Sequence, residues 1–238
     1  MPLNFAHRGS LTEAPENTLP AFQKAIEHGA KAIELDVQLT KDNHLVVSHD
    51  HKFTRFNKNV TGLIKDYTWD EVRQIDVGSA FSEEFAGTNL PTLEDVLDIC
   101  PHHLFLNIEI KNIPVIYDGI EQRLLDTLSH YNRTENVIVS SFDHVALKNV
   151  QNINPDIDLG MLFYYRMLNP WDYAANSGLA IRSLHPNQVY VNQTFVQESK
   201  RHGYEVYPFT VNDVNRYAEL VDFGVDGVFS NEPGVFGS

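Results

Sequence analysis

The sequence holds one cysteine, Cys100, among 238 residues. No internal disulfide can form, so nothing in the chain calls for an oxidising compartment. Long hydrophobic runs are also missing. No stretch of about 18 apolar residues occurs, which argues against a transmembrane helix. The opening MPLNFAHRGS has neither a basic patch nor the apolar run of a signal peptide. Positive charge is scarce too. Lys and Arg number 18 against 32 Asp and Glu, a net charge of −14, and no basic run occurs. Such a field repels polyanions and anionic membrane surfaces, so neither nucleic acid nor stable membrane association is expected. Disorder is excluded by a hydrophobic content of 42%, enough for a large core. A cytoplasmic globular protein is the expectation. A homo-oligomer is allowed by the sequence.

What is present is a rhythm. Short β-branched or apolar runs fall at Leu3–Ala6, Ala32–Val37, Leu45–Ser48, Leu104–Ile110, Val137–Ser140, Leu159–Phe163, Ile181–Leu184, Tyr204–Thr210 and Gly227–Ser230. Helix-period segments lie between most of them, at Leu19–His28, Leu93–Cys100, Val115–Tyr131, His144–Ile153, Phe195–His202 and Val214–Asp222. Strands separated by helices predict βαβ units and a parallel sheet, and about eight such units close an α/β barrel, the TIM (β/α)8 fold. Leu45–Ser48 is surplus to eight. It follows the previous run after only a few turn-forming residues, Lys41-Asp42-Asn43, and reads as the returning arm of a hairpin. Repeats, low-complexity tracts and Pro/Ser-rich linkers are absent, which predicts one domain over 1–238. The chain ends soon after the last strand, at Ser238, which leaves a final helix at most a single turn.

Residues 51–91 break the rhythm. They show no βα repeat and are rich in aromatics: Phe53, Phe56, Tyr67, Trp69, Phe81 and Phe85. A stretch this long inside a compact domain is a functional loop or a small subdomain. It reads either as a self-packed decoration or as a lid or substrate wall, and the expectation taken forward is an inserted cap beside the barrel mouth that borders the pocket.

A strand buried on both faces should be nearly all apolar. Several here are not. In Ile33-Glu34-Leu35-Asp36-Val37 a period of two puts both acids on one face and the three apolar residues on the other. Asn107-Ile108-Glu109-Ile110-Lys111 repeats the design, with Glu109 and Lys111 sharing a face. The first strand ends in His7-Arg8-Gly9 and the hairpin arm in His49-Asp50. A single buried, unpaired carboxylate costs several kcal/mol or is forced to protonate. Three converging ones, Glu34, Asp36 and Glu109, call for a hard cation, and oxygen ligands without cysteine favour Ca²⁺ or Mg²⁺ over Zn²⁺. Any one acid could be a salt-bridged strand residue. Together, at strand ends where barrel enzymes gather their catalytic groups, they form a site.

With these residues in order, the chain resembles the glycerophosphodiester phosphodiesterases. The likeness runs through His7-Arg8-Gly9, Pro15-Glu16-Asn17-Thr18, Glu34-Leu35-Asp36, Thr40-Lys41-Asp42, Ser48-His49-Asp50, Asp76-Val77-Gly78-Ser79, Leu90-Pro91-Thr92, Asn107-Ile108-Glu109-Ile110-Lys111, Ser183-Leu184-His185-Pro186, Thr210-Val211-Asn212 and Gly224-Val225-Asp226-Gly227. The resemblance implies a TIM barrel with an inserted subdomain that hydrolyses glycerophosphodiesters to sn-glycerol 3-phosphate and an alcohol. It implies one divalent metal, Ca²⁺ or Mg²⁺, on Glu34, Asp36 and Glu109, and His7 and His49 as the general acid/base pair. Arg8 and Lys111 match positions near the phosphate, and Phe209 stands where the family often has tryptophan. His185, before Pro186 at a strand end, is a further substrate-contact candidate, and His51 and Asn17 are candidates beside the site. Asp50 or Glu16 could fix a histidine tautomer. A phospholipase C or D reading would need an apolar rim that the sequence does not display as a stripe. A catalytically silent barrel would have lost a histidine or an acid, and all are present.

Overall fold

The computed structural model describes residues 1–232, 234 and 236. Its strands are β1 Leu3–His7, β2 Ala32–Leu39, β3 Leu45–Val47, β4 Phe105–Ile110, β5 Val137–Ser141, β6 Asp158–Phe163, β7 Ile181–Pro186, β8 Glu205–Val206 and β9 Gly227–Ser230. Eight of them run parallel in the order β8-β7-β6-β5-β4-β2-β1-β9. β3 lies antiparallel against β2, pairing Val37 with Val47 and Leu39 with Leu45, so the surplus strand is the hairpin arm. The helices are α1 Leu19–Glu27, α2 Trp69–Val72, α3 Leu93–Ile99, α4 Ile120–His130, α5 His144–Ile153, α6 Pro170–Asn176, α7 Gln193–Arg201 and α8 Val214–Phe223.

Alternation within each strand sorts the side chains. Ile33, Leu35 and Val37 of β2 and Leu106, Ile108 and Ile110 of β4 join the main apolar core with α1, α3, α4 and α5. The opposite face of the same strands looks into the barrel. Phe5, Ala32, Ile138, Tyr207 and Phe229 form a separate apolar cluster, with Phe5 stacked on Phe229 at 4.8 Å between ring centroids. This layer fills the barrel interior as side chains do in such folds, leaving the strand ends free to carry polar groups.

Three elements differ from the sequence expectation. The run Tyr204–Thr210 keeps ladder pairing only at Glu205–Val206, because Pro208 has no N–H to donate. The barrel is nearly closed there by single backbone bonds: Asp226 N to Val206 O at 3.1 Å, Phe229 N to Pro208 O at 3.0 Å and Val211 N to Phe229 O at 2.8 Å. The helix expected over Val115–Tyr131 starts only at Ile120, after Gly119 at φ +82°. α6, a seven-residue helix with Pro170 in its first turn, was not expected, since its few apolar positions give no full helical period. The last helical turn would fall at the chain end, where residues 233, 235, 237 and 238 lie outside the described residues.

Residues 51–91 hold three 3₁₀ turns (Phe53–Arg55, Ile64–Asp66 and Glu83–Phe85) and α2. Phe53, Ile64, Val72, Val77 and Leu90 pack with Val46 of β3 into a small core of their own. The aromatics Phe56, Tyr67 and Trp69 lean on it.

Candidate active site

The site begins with the turn after β1. Arg8 and Gly9 both take positive φ, +59° and +93°. Only glycine serves at the second position: a Cβ there would stand 2.7 Å from the Ala21 carbonyl carbon. The tight turn brings α1 against β1 and leaves the Arg8 N–H donating to Glu34 Oε2 at 2.9 Å. A non-glycine residue held at positive φ is uncommon and recurs at functional sites.

Strand register then sets the acids side by side. β1 places His7 beside Glu34, and β2 places Glu34 beside Asn107 and Asp36 beside Glu109. Oxygens of Glu34, Asp36 and Glu109 all come within 4.8 Å of one another, and all three residues are buried. Burial, together with Asp36 and Glu109, pushes the Glu34 carboxyl well above the ordinary carboxylate range. Glu109 is raised by its burial as well. Burial alone would raise Asp36 too, but Lys111 and Arg8 beside it prevail and hold it low. Lys111 Nζ donates to Glu109 at 2.6 Å and lies 3.6 Å from Asp36. Arg8 Nε lies 3.4 Å from Asp36, and Asn17 donates to Asp36 Oδ2 at 2.9 Å. Two cations therefore face three acids. The raised carboxyls mark an unmet demand for positive charge, and an all-oxygen donor set suits a hard divalent ion. The residues fit such a group.

Each histidine has one ring nitrogen committed. His7 Nδ1 donates to Asn231 Oδ1 at 2.8 Å, and His49 Nδ1 donates to Asp50 Oδ1 at 2.8 Å. Each bond commits Nδ1 and leaves Nε2 as the nitrogen able to take or give a proton, and both rings line the same cavity of about 330 Å³. Burial and the neighbouring Arg8 lower His7 to about 4. Its partner Asn231 follows β9, at the far end of the chain, and gave no sequence signal.

Behind the site runs a chain of ion pairs. Arg8 Nη1 donates to Glu16 at 3.0 Å. Arg55 grips the same carboxylate with both Nη atoms, at 2.6 and 2.8 Å. Its Nε reaches Asp50 Oδ2 at 2.7 Å. Of the two acids considered for tautomer control, Asp50 holds His49, and Glu16 holds arginines.

His7, Arg8, Glu34, His49, Glu109, Lys111 and Phe209 all line the cavity. Phe209 meets Phe142 edge-on at 5.6 Å. Asp36 sits just behind this surface, 1% exposed. His185 does not belong to the lining. It is 0% exposed, packed against Tyr207 and Phe229, with Nε2 bonded to Ser183 Oγ at 2.7 Å. Burial lowers it to about 3. The strand end that suggested a substrate contact turns its histidine into the barrel interior, so a ligand cannot reach it. His51 is also outside the lining: its ring bonds Gln38, Tyr117 OH and the Ile113 carbonyl. No residue of 51–91 lines the cavity. The segment's link to the site is Arg55.

Comparison with known proteins decides the family. A model described as the Glycerophosphoryl diester phosphodiesterase family matches residues 7–235. The chain belongs to this family. It is an enzyme of the phosphodiester hydrolase class. A glycerophosphodiester phosphodiesterase of Caldanaerobacter subterraneus subsp. tengcongensis is 40% identical over 232 residues, covering 97% of this chain and 94% of the relative. Another from Bacillus subtilis is 33% identical, covering 98% and 85%. Among solved structures, an Oleispira antarctica phosphodiesterase in complex with the product sn-glycerol-3-phosphate has a TM-score of 0.88 at 30% identity, covering 98% of this chain and 94% of that one. The barrel is therefore this family's TIM barrel.

Proposed function

We propose that the chain hydrolyses glycerophosphodiesters to sn-glycerol 3-phosphate and an alcohol. The observation that carries this reading is the meeting, at one cavity, of two histidines whose Nε2 atoms make no hydrogen bond among the described residues, the acids Glu34 and Glu109 with Asp36 just behind them, and the cations Arg8 and Lys111. The family's name and the product found in the Oleispira relative support the substrate.

Glu34, Asp36 and Glu109 would hold one divalent cation, Ca²⁺ or Mg²⁺. Bound there, it supplies positive charge against the phosphate oxygens, where negative charge grows during in-line displacement. Arg8 and Lys111 add fixed charge from the protein side. His7 and His49 divide the proton work: one ring, neutral at Nε2, takes the proton of the attacking oxygen, and the other enters the step already carrying a proton on Nε2 and gives it to the leaving alkoxide. Each such transfer is worth about 10²–10⁴-fold in rate. Asn231 and Asp50 keep the two rings in the required tautomers by occupying Nδ1. Phe142 and Phe209 keep part of the wall dry, which strengthens every charge interaction inside.

In this reading residues 51–91 are an insertion that acts through Arg55, and 1–238 is one catalytic domain. No helix of the described residues is long and apolar enough to cross a membrane. The lone cysteine supports a cytoplasmic setting, and the net charge of −14 supports a small-molecule partner over nucleic acid.

The test is a chelator-stripped assay with glycerophosphocholine, reading sn-glycerol 3-phosphate, followed by add-back of Ca²⁺ and Mg²⁺ singly. Activity should vanish on stripping and return with one of the two. Full activity after stripping, or no glycerol phosphate under any condition, overturns the reading.

A further inference from the structure

A second hollow of about 360 Å³ opens beside the catalytic cavity. The two share Phe142, Leu162 and Tyr164, so one continues into the other. At roughly 30 Å³ per water, the second hollow has room for about a dozen waters. Its remaining walls are Ile113, Phe163, Tyr165 and Met167, with His144 at one side. His144 Nε2 donates to the Leu162 carbonyl at 3.1 Å, and Nδ1 accepts from Tyr173 OH at 2.9 Å. Both ring nitrogens are thus spent, and burial lowers the ring's pKa. No residue lining this groove carries a charge, and four large apolar residues on its rim (Ile113, Tyr164, Tyr165 and Met167) are exposed.

An uncharged apolar groove leading out of a phosphodiester site calls for an apolar substituent on the phosphate. The glycerol arm does not fit it, because its hydroxyls would lose water with few partners to replace it. A quaternary ammonium could use aromatic faces, but Lys111 Nζ already stands over the Phe142 ring, 5.7 Å from its centre. A second cation there would face the first.

We infer that this groove receives the alcohol arm of the diester, and that the arm it prefers is an unbranched alkyl chain. The inference rests on the phosphodiesterase reading above and names its substrate class more closely. Each methylene that enters the groove should gain on the order of fourfold.

The experiment is a series of glycerophospho-n-alkyl esters (methyl, butyl and octyl), kept below micelle formation and run beside glycerophosphocholine. From methyl to octyl, kcat/KM should rise by about 30-fold or more, through roughly three buried methylenes, with octyl ahead of choline. In Ile113→Glu and Met167→Glu, both at exposed rim positions, the octyl-to-methyl ratio should fall by about tenfold or more. Calorimetry with n-octyl phosphate and methyl phosphate reads the same preference without turnover. A flat series, choline ahead of octyl, or an unchanged ratio in both variants overturns the inference. Failure to hydrolyse any ester, with octyl phosphate still bound more tightly than methyl phosphate, would overturn the phosphodiesterase reading and leave the groove assignment standing.

Discussion

The Arg55 guanidinium clasps both carboxylate oxygens of Glu16, at 2.6 and 2.8 Å. A planar fork meeting a carboxylate in this way is directional as well as attractive. Glu16 also holds Arg8, and Arg55 also holds Asp50, the partner of His49. One side chain from the insertion therefore holds the carboxylate partners of two cavity-lining residues, Arg8 and His49, although it does not line the cavity itself.

Arg55→Gln should lower kcat by about 10- to 100-fold, the usual effect of losing a group that orients a site residue. Arg55→Lys should recover little, because an ammonium cannot grip both oxygens and Asp50 together. Thermal stability should change modestly, since the side chain is 45% exposed. Steady-state kinetics beside a melting curve separates the two effects; a large loss of melting temperature with kcat unchanged would refute the positioning role.

The same cluster predicts a response to acid. The His49 hydrogen bond, with Arg55, holds Asp50 below the usual carboxylate range despite partial burial. Burial would raise Glu16, yet Arg55 and Arg8 prevail and lower it. Groups with depressed folded values contribute stability that is fully present above their unfolded pKa, about 4, and is lost as pH falls through the folded values. Arg55→Gln weakens both depressions, so its acid-unfolding midpoint, followed by circular dichroism, should move to higher pH than in the unsubstituted protein.

Ca²⁺ or Mg²⁺ at about 100 times its dissociation constant should stabilise the fold by about 2.7 kcal/mol, visible as a rise in melting temperature. Glu109→Gln should abolish that rise. His7→Ala and His49→Ala should keep it while each loses about 10²-fold or more in kcat. A histidine variant that loses the melting shift would have to be counted among the ligands.

His185 and Gly160 meet inside the barrel: a Cβ on Gly160 would stand 2.5 Å from His185 Cε1. Gly160→Ala should therefore destabilise by about 1–3 kcal/mol through overpacking. His185→Ala opens a cavity and should destabilise on its own, with little effect on KM, because the ring is not on the cavity surface. The double variant should be more stable than the sum of the two losses predicts, as neighbours sharing one space are. Strict additivity in denaturant titrations would mean that the two positions do not share it.

The sequence by itself determined the parts set by local periodicity. The acids at 34 and 36 and the pair at 109 and 111 were legible as an inward face, because a strand alternates every residue and apolar neighbours claim the other side. The eight-strand plan and the hairpin at 45–47 were legible from the same alternation and from turn chemistry. Tertiary structure decided what periodicity cannot reach. Asn231 holds His7 across 224 positions of sequence, and Arg55 reaches Glu16 from a segment with no period of its own. His185, read as a contact from its place at a strand end, is buried because the strand's inward direction there meets Tyr207 and Phe229 rather than the cavity. The apolar groove beside the site comes from Ile113 after β4, Phe142 after β5, and Leu162 and Met167 on β6 and the loop that follows it, three separate segments. Parallel pairing of β4 with β5 and of β5 with β6 brings them together. Spacing along a chain encodes which face a residue takes; which distant residue it meets is set by how the whole sheet curves.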